Sequence, residues 1–517
     1  MTSSAILQYP IKPVDQLPID VNLAEALLVS VAEYGGQLHG RRIWLACSGG
    51  RDSLALAALC VQLYRQGKLP FLPQLLHVNH GLQADSHYWA AHVASWAHIQ
   101  QLPCQVLMAK VDGHDEQAAR LARYHVMRAH INQDDVLLLG HHADDQAETV
   151  LMRLIQGAGV NGLSGMQAWR EQSQSAQRNI LWRPWLSVRR STISHYAQQL
   201  ELPYIDDPTN DSGDNVRSGL RLEVLPALTA YNSSAITNIA RSAQLLADAQ
   251  AIVSDQAVQD LQQTAIVPLN YPPAQHVLNI DKLHSLPIYR QRQLIHTWLT
   301  QDEPLPPSKQ LVDDVLSLTE RNDHNHQTQL DWHGRTQKYS IRRYRQQLYR
   351  LSSTWLAWLA LPCITHTQML PCSNLAQQPT MMLTLRTGKG IDWQLEITLN
   401  TLIQFINDTF SGSDKLNHDK EGMVLKCTPL GRQQRVQTTL ATRPQASKKL
   451  YQTLGVPVWL RDSLVVISIA SAQKEEALPL LLVSPFESWV LGTDKSLANA
   501  INDSGFLASA IKNILSI

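Results

Sequence analysis

The stretch Ile43-Trp44-Leu45-Ala46-Cys47-Ser48-Gly49-Gly50-Arg51-Asp52-Ser53 decides the fold. Its apolar run predicts a buried β-strand, Gly49-Gly50 a turn, and residues from about 54 to 64 a helix. Glycines let backbone N–H groups approach an anion closely, and a helix N-terminus adds favourable partial charge. Serine hydroxyls donate to phosphate oxygens, and a carboxylate such as Asp52 suits Mg²⁺, which takes oxygen ligands. An ordinary Gly-rich strand-to-helix turn has the same local pattern, so the rest of the chain has to decide between the two.

Working outward, residues 74–78, 105–109 and 136–139 read as strands. Residues 86–100, 116–131 and 143–155 read as helices, the last closed by Gly157. This alternation predicts a parallel sheet with crossover helices, in which ligands bind beyond the carboxyl ends of the strands. The Ser48–Ser53 turn, the segment 77–81 and the segment 140–148 all follow strands and should converge on one edge. Residues 215–230 and 233–263 look helical and suit a connector. A second module follows, ending in two basic strands over 329–351 joined at His333-Gly334. The expected class is α/β. A parallel-sheet domain with crossover helices covers 1–230, and a mainly helical middle domain with its connector covers 231–361. A Pro-, Gln- and Ser-rich linker covers 362–379, and a small α+β C-terminal domain covers 380–517.

At 517 residues, with 17% charged and 44% hydrophobic residues, the chain is long and apolar enough for several packed domains. No apolar run approaches membrane-spanning length, and no basic-then-apolar leader opens the chain. The six cysteines form no C-x-x-C pair, which fits a reducing cytoplasm and argues against a zinc ribbon or iron–sulfur cluster. The formal net charge of zero hides an uneven distribution. Residues 332–391 hold eight bases and no acid: Arg335, Lys338, Arg342, Arg343, Arg345, Arg350, Arg386 and Lys389. Residues 422–461 again hold no acid, with Lys426, Arg432, Arg435, Arg443, Lys448, Lys449 and Arg461. Such stretches suit a polyanion bound through its phosphates, or mildly basic solvated domains with no partner.

His141-His142-Ala143-Asp144-Asp145-Gln146-Ala147-Glu148-Thr149 opens a predicted helix, where Asp145 and Glu148 share a face. Two acids there suit Mg²⁺ or an ammonium group, but the same spacing also makes a capping box. Zinc sites draw further ligands from other elements, and none stands out. His77-Val78-Asn79-His80-Gly81 suits nucleotide contact or a strand-end turn. Arg120 and Arg123 lie on an amphipathic helix that faces either an anion or solvent. Asp206-Asp207-Pro208-Thr209-Asn210-Asp211 reads as a turn, after which Arg217 and Arg221 fall one helical turn apart. Two guanidiniums there suit a phosphate clamp, or surface pairs with nearby acids.

Ser-Gly-Gly-x-Asp-Ser resembles the PP-loop of the N-type ATP pyrophosphatases, which adenylate a substrate oxygen and release pyrophosphate. The residues around it narrow the likeness. They are HVNHGL at 77–82, EQAARLARY at 116–124, HHADDQAETVLMRLIQGAG at 141–159, Arg183-Pro184, DDPTN at 206–210 and Arg217 with Arg221. Together these resemble the tRNA(Ile)-lysidine synthases over about 40–230, and 450–462 is similar to the C-terminal domain of the long form. The resemblance implies ATP and Mg²⁺ as cofactors, with L-lysine and tRNA(Ile) bearing a CAU anticodon as partners. It implies adenylation of the wobble cytidine at its C2 oxygen, then attack by the lysine amine. It assigns ATP to Ser48, Gly49, Gly50, Arg51, Asp52 and Ser53, Mg²⁺ to Asp52, and the lysine amine to Asp145 and Glu148. Arg217 falls near the reacting centre. Ser218 stands where that family usually has Asn. A homodimer stays open.

Two rivals remain. A PP-loop tRNA thiolase needs catalytic or cluster-binding cysteines, and a non-catalytic RNA-binding protein would leave the nucleotide turn without chemistry. A P-loop kinase is excluded, since no G-x-x-x-x-G-K-[ST] occurs.

Overall fold

The structure, a computed structural model, describes residues 10–79, 81, 85–111, 116–174, 177–205, 216–266, 277–301, 303, 305–320, 328–361, 363–370, 380–386, 393–398, 423–438, 441, 443–471, 477–484 and 488–491. The chain clusters into two compact units, Met1–Val253 and Ser254–Ile517.

In the first unit the strands β1 (Ile43–Ala46), β2 (Gln74–Asn79), β3 (Cys104–Met108) and β4 (Val136–Leu138) run parallel. Two further strands, β5 (Trp169–Gln174) and β6 (Gln177–Trp182), complete a sheet of order β3-β2-β1-β4-β6-β5. β6 continues the parallel set beside β4, and β5 closes the edge antiparallel. This hairpin is not among the strands expected from the sequence. Its outer strand reads Trp-Arg-Glu-Gln-Ser-Gln, a polar edge with no apolar alternation to announce it.

The crossovers fall close to the expected helices: α3 (Arg51–Arg65), α4 (Ser86–Ile99), α5 (Glu116–His130) and α6 (Ala143–Ile155). Before them come α1 (Val21–Glu33) and the single turn α2 (Gly35–Leu38); after them come the single turn α7 (Val160–Leu163) and α8 (Arg190–Gln199). Alternation along β1 assigns the two sheet faces. Leu45 packs with α1, α3, α4 and α8, and Trp44 packs with Met127 of α5. Eleven of the fifteen residues of α3 are buried, as expected of a helix apolar all round. Residues 216–231 form one interrupted helix: α9 (Val216–Gly219), a π-turn (Leu220–Val224) and α10 (Leu225–Tyr231), followed by α11 (Ala235–Thr264).

The second unit begins within α11, at Ser254, and continues with β7 (Leu278–Asn279), α12 (Ile280–His284), α13 (Ile288–Thr300) and α14 (Lys309–Glu320). These helices pack on an antiparallel sheet of order β7-β10-β9-β8, with β8 (Thr328–His333), β9 (Lys338–Tyr344) and β10 (Gln347–Ser352). So the helical middle segment carries a sheet, and residues 329–351 make three strands where the sequence predicts two. The overlooked turn is Arg345-Gln346, without Gly, Pro or Asn, and Arg345 takes it at φ 52°.

The other face of that sheet, with α15 (Ser353–Leu359), shares a core with a five-stranded sheet of the C-terminal part. That sheet runs β11 (His366–Met369), β14 (Met423–Pro429), β17 (Val465–Ser471), β18 (Ala477–Val483), β19 (Ser488–Val490). The intervening β12 (Thr380–Leu385) and β13 (Trp393–Thr398) form a hairpin, and β15 (Arg435–Val436) pairs β16 (Gln445–Ala446).

The basic stretch of 332–391 divides between interior and surface: Arg343 and Arg350 are buried and Arg342 is half-buried, whereas Arg335, Lys338, Arg345 and Arg386 are exposed. Arg350 is 1% exposed, lies 4.1 Å from the Tyr339 ring centre and donates to the Leu299 carbonyl. Arg343 donates to the Leu318 carbonyl, Arg345 to the Gln452 carbonyl, and Arg342 stacks over Trp459.

One buried side chain ties the N-terminal segment to α3 and α8. Gln62 of α3 is fully buried and donates to the carbonyls of Val14 (2.8 Å) and Leu17 (2.9 Å), while accepting from the Tyr196 hydroxyl. Gln62→Leu leaves these partners unpaired in the core. We expect it to cost about 2–4 kcal/mol of stability in denaturant melts. A loss under about 0.5 kcal/mol would mean that the network is dispensable.

Candidate active site

The site forms where the chain reverses its direction of travel across the sheet. β2 and β3 extend from one side of β1, and β4 lies on the other. In open α/β sheets this switch point leaves a crevice at the carboxyl ends of the strands. The turns after β1 and β4 flank it closely. A Cβ on Gly140 would stand 3.2 Å from the Asp52 carbonyl oxygen, so glycine lets the two backbones come this close without either giving way.

α3 begins at Arg51, one turn earlier than the sequence suggests, which sets Asp52 and Ser53 in its first turn. Its N-cap is Gly50, and no side chain caps it, so the helix start is open to an anion. Gly49 turns at φ 86°, and its carbonyl accepts from the Ile205 N–H at 2.9 Å. Ser48 Oγ accepts from the Gly50 N–H at 3.2 Å and lies 3.2 Å from Ser53 Oγ. Arg51 stacks 4.7 Å from the Tyr204 ring centre and donates to Ser194 Oγ at 3.1 Å.

A cavity of about 390 Å³ opens above this turn. Of the residues singled out in the sequence, Ser48, Gly50, Arg51, Asp52, Ser53, Asp145 and Arg217 line it, together with His77, Asn79, Arg120, Arg123 and Arg221. Glu148 does not; it is 1% exposed and lies behind the two arginines. His80 and residues 206–211 lie outside the described residues.

α6 delivers its carboxylates by a capping box with an unusual cap. His142 Nδ1 accepts from the Asp145 N–H (3.3 Å), and Asp145 Oδ2 accepts from the His142 N–H (3.2 Å). The capping acid Asp145 thus also faces the cavity. Asp144 turns away and fixes the start of α8, accepting from the Arg190 N–H at 2.8 Å and from Arg189. Asp145 Oδ1 also accepts from Arg217 Nη2 at 3.1 Å. Glu148 is held by Arg217 and, through both oxygens, by Arg221 at 2.7 and 3.1 Å.

The charges follow from this packing. Burial works against the Asp145 carboxylate, but His142, His141 and Arg217 together hold it below the usual carboxylate range. Burial also works against His142, yet Asp145, Asp52 and Asp144 raise it above the usual range. His141 goes the other way. Burial, helped by Arg183, Arg120 and Arg217 against the pull of Asp145, pushes it down to about 3, so its ring is neutral at neutral pH.

Asp52 tests the fit for a divalent cation. Its Oδ1 is buried with no hydrogen-bond partner among the described residues, and its Oδ2 lies 3.6 Å from His142 Nε2. Among the described residues no three His, Cys, Asp or Glu side chains gather as a metal-ion site. A single free carboxylate oxygen beside the Gly49-Gly50 turn fits Mg²⁺, which commonly keeps several waters as its other ligands.

Comparison with known proteins places this arrangement. A PP-loop domain model matches residues 23–228, and a TilS substrate binding domain model matches 278–349, the span from β7 into β10. A tRNA(Ile)-lysidine synthase of Psychrobacter sp. is 39% identical over 91% of this chain and 95% of its own length. This chain belongs to the tRNA(Ile)-lysidine synthase family. It is an ATP-using PP-loop ligase of that family. A tRNA(Ile)-lysidine synthase of Shewanella woodyi is 31% identical over 83% of this chain and 86% of its own. Among solved structures, a U34-tRNA thiolase of Methanococcus maripaludis with its [4Fe-4S] cluster covers 43% of this chain and 79% of its own, at 18% identity and a TM-score of 0.35.

The lysidine-synthase family assignment agrees with the cysteines. Cys47 and Cys104 are pushed up to about 11 by burial, and Cys60 to about 12, so none offers the thiolate that a thiolase would need.

His141 makes folding sensitive to acid. The unfolded chain takes up its proton near the usual 6.5, and the folded one only near 3, so stability present above pH 6.5 is lost as pH falls. Each pH unit in that window costs roughly 1.4 kcal/mol. Denaturant melts at pH 7 and pH 5 should show His141→Asn losing about 2 kcal/mol less than wild type. Equal losses would mean that the ring is not held neutral.

Proposed function

We propose that this enzyme ligates L-lysine to C2 of the wobble cytidine in the CAU anticodon of tRNA(Ile), through an adenylated tRNA, releasing pyrophosphate and AMP. The observation that carries the reading is the meeting in one cavity of an uncapped, glycine-turned helix start with the Asp145–Arg217 pair. The first group of features suits a nucleoside triphosphate, and the second an ammonium beside developing negative charge.

The chemistry divides between them. The C2 oxygen of the cytidine attacks the α-phosphorus, and the bond to pyrophosphate breaks. Fixed N–H dipoles at the start of α3 oppose the charge growing on the leaving group. Asp52 would hold Mg²⁺, which when bound would neutralise phosphate charge. The lysine ε-amine then adds at C2, and AMP leaves with the former carbonyl oxygen. Adenylation turns a poor leaving group into a good one. Asp145, held ionised, orients the amine toward C2.

RNA affinity is assigned to bases that are free to meet solvent. In the second unit Arg432, Arg435, Arg443, Lys448 and Lys449 are exposed within a stretch that has no acid. Arg435 and the N-terminal end of the helix Ser447–Leu454 flank the same β15–β16 pair. Such a surface suits a phosphate backbone.

The test is incorporation of radiolabelled lysine into an isoleucine tRNA transcript with a CAU anticodon, with ATP and Mg²⁺, beside a methionine tRNA. Label on the isoleucine tRNA alone is expected. Pyrophosphate release without label would discard lysine as the nucleophile, and neither signal from folded protein would overturn the reading.

A further inference from the structure

The segment 450–462 supplies no group of the reaction, yet much of it is core. Leu450, Leu454, Val456, Trp459 and Leu460 are buried where the middle sheet packs on the C-terminal strands. The Trp459 ring meets Tyr344 and Tyr349 edge-on, at 6.3 and 5.1 Å between centres, and the Arg342 guanidinium lies 5.2 Å over it. Arg345 reaches the same segment from the turn between β9 and β10. Its Nη2 donates to the Gln452 carbonyl in the last turn of α16 (Ser447–Leu454), a carbonyl that the helix itself leaves over. Gly455 ends α16 at φ 73°, and a Cβ there would collide with Arg345 Nη1.

Arg345 stands against the preference of its own backbone. Gln347 pairs with Tyr344, so Arg345-Gln346 is a two-residue hairpin turn, and Arg345 takes its first position at φ 52°. That position favours glycine, because a Cβ crowds the backbone when φ is positive. Side chains held in this region gather at functional places. The far end of α16 shows what the grip controls. Ser447 Oγ donates to the carbonyls of Arg432 (2.6 Å) and Gly431 (3.3 Å), which fastens that turn to the helix start. Arg432, Lys448 and Lys449 are exposed there.

We propose that Arg345 is a positioning residue for tRNA: it fixes α16, and with it Arg432, Lys448 and Lys449, to the middle sheet. The inference rests on tRNA being the substrate. Arg335 and Lys338, exposed where β8 turns into β9, belong to that sheet, so both sets of bases are presented as one body. A phosphate backbone then meets charges already ordered, which lowers the entropy lost on binding.

The experiment measures binding of the isoleucine tRNA transcript to the full-length enzyme over a range of salt, for wild type, Arg345→Ala and Arg345→Gly, beside denaturant melts and lysine-transfer kinetics. Both variants should bind tRNA roughly fivefold more weakly, with KM for tRNA raised and kcat kept. The slope of log Kd against log salt should fall by about two phosphate contacts or more, since several bases lose their placement together. Arg345→Gly should match wild type in the melts, because glycine suits φ 52°. Unchanged tRNA affinity overturns the proposal. So does a slope change of about one contact, which would make Arg345 itself a phosphate ligand. A glycine variant that loses stability along with affinity overturns it too, leaving Arg345 a structural role only. Absence of tRNA binding by wild type overturns the substrate reading on which the proposal rests.

Discussion

Leu45 of β1 stands opposite Leu138 of β4, and Leu45 also stands opposite Leu75 of β2. This parallel register ends β1 and β4 side by side, with β2 running three residues further to Asn79, and the turns after β1 and β4 meet there. From it come the close approach of Gly140 to the Asp52 backbone and the shared cavity. The open start of α3 and the capped start of α6 face the same cavity. A slip of one residue would turn Leu45 from its core toward the other face, so burial of Leu45 and Trp44 on opposite sides fixes the register. The site is in this sense a consequence of core packing.

Charge inside that frame is balanced group by group. Asp144 is spent on α8, Asp145 on Arg217 and the helix cap, and Glu148 on two arginines. Among these carboxylates Asp52 alone keeps a buried oxygen with no partner among the described residues, and it sits in the first turn of α3. The two adjacent histidines part ways for the same reason. His142 faces three carboxylates, whereas His141 is buried with arginines beyond Asp145. A pair that reads as a metal motif in sequence is a cap and a neutral ring in space.

Much of this was legible in the residues. The strand and turn at 43–50 and the helix at 143–155 could be read directly, because buried parallel strands and their helices are long, apolar runs punctuated by glycine. What escaped reading depends on distant partners. The edge strand β5 has no apolar signal, and the Arg345 turn carries no turn residue. Arg343 and Arg350 look like phosphate ligands, yet the rings and carbonyls that absorb them come from other elements. Asp145 and Glu148 share a helix face as their spacing requires, but whether that face meets the cavity or the arginines is set by residues about seventy positions later.

The central claim is that the site activates the cytidine oxygen by joining it to AMP. The direct measurement is transfer of isotope from a tRNA carrying ¹⁸O at C2 of the wobble cytidine, with AMP analysed by mass spectrometry after lysine addition. The account predicts one ¹⁸O in the AMP phosphate for each lysine incorporated. Unlabelled AMP, with lysine still joined to the tRNA, would contradict it.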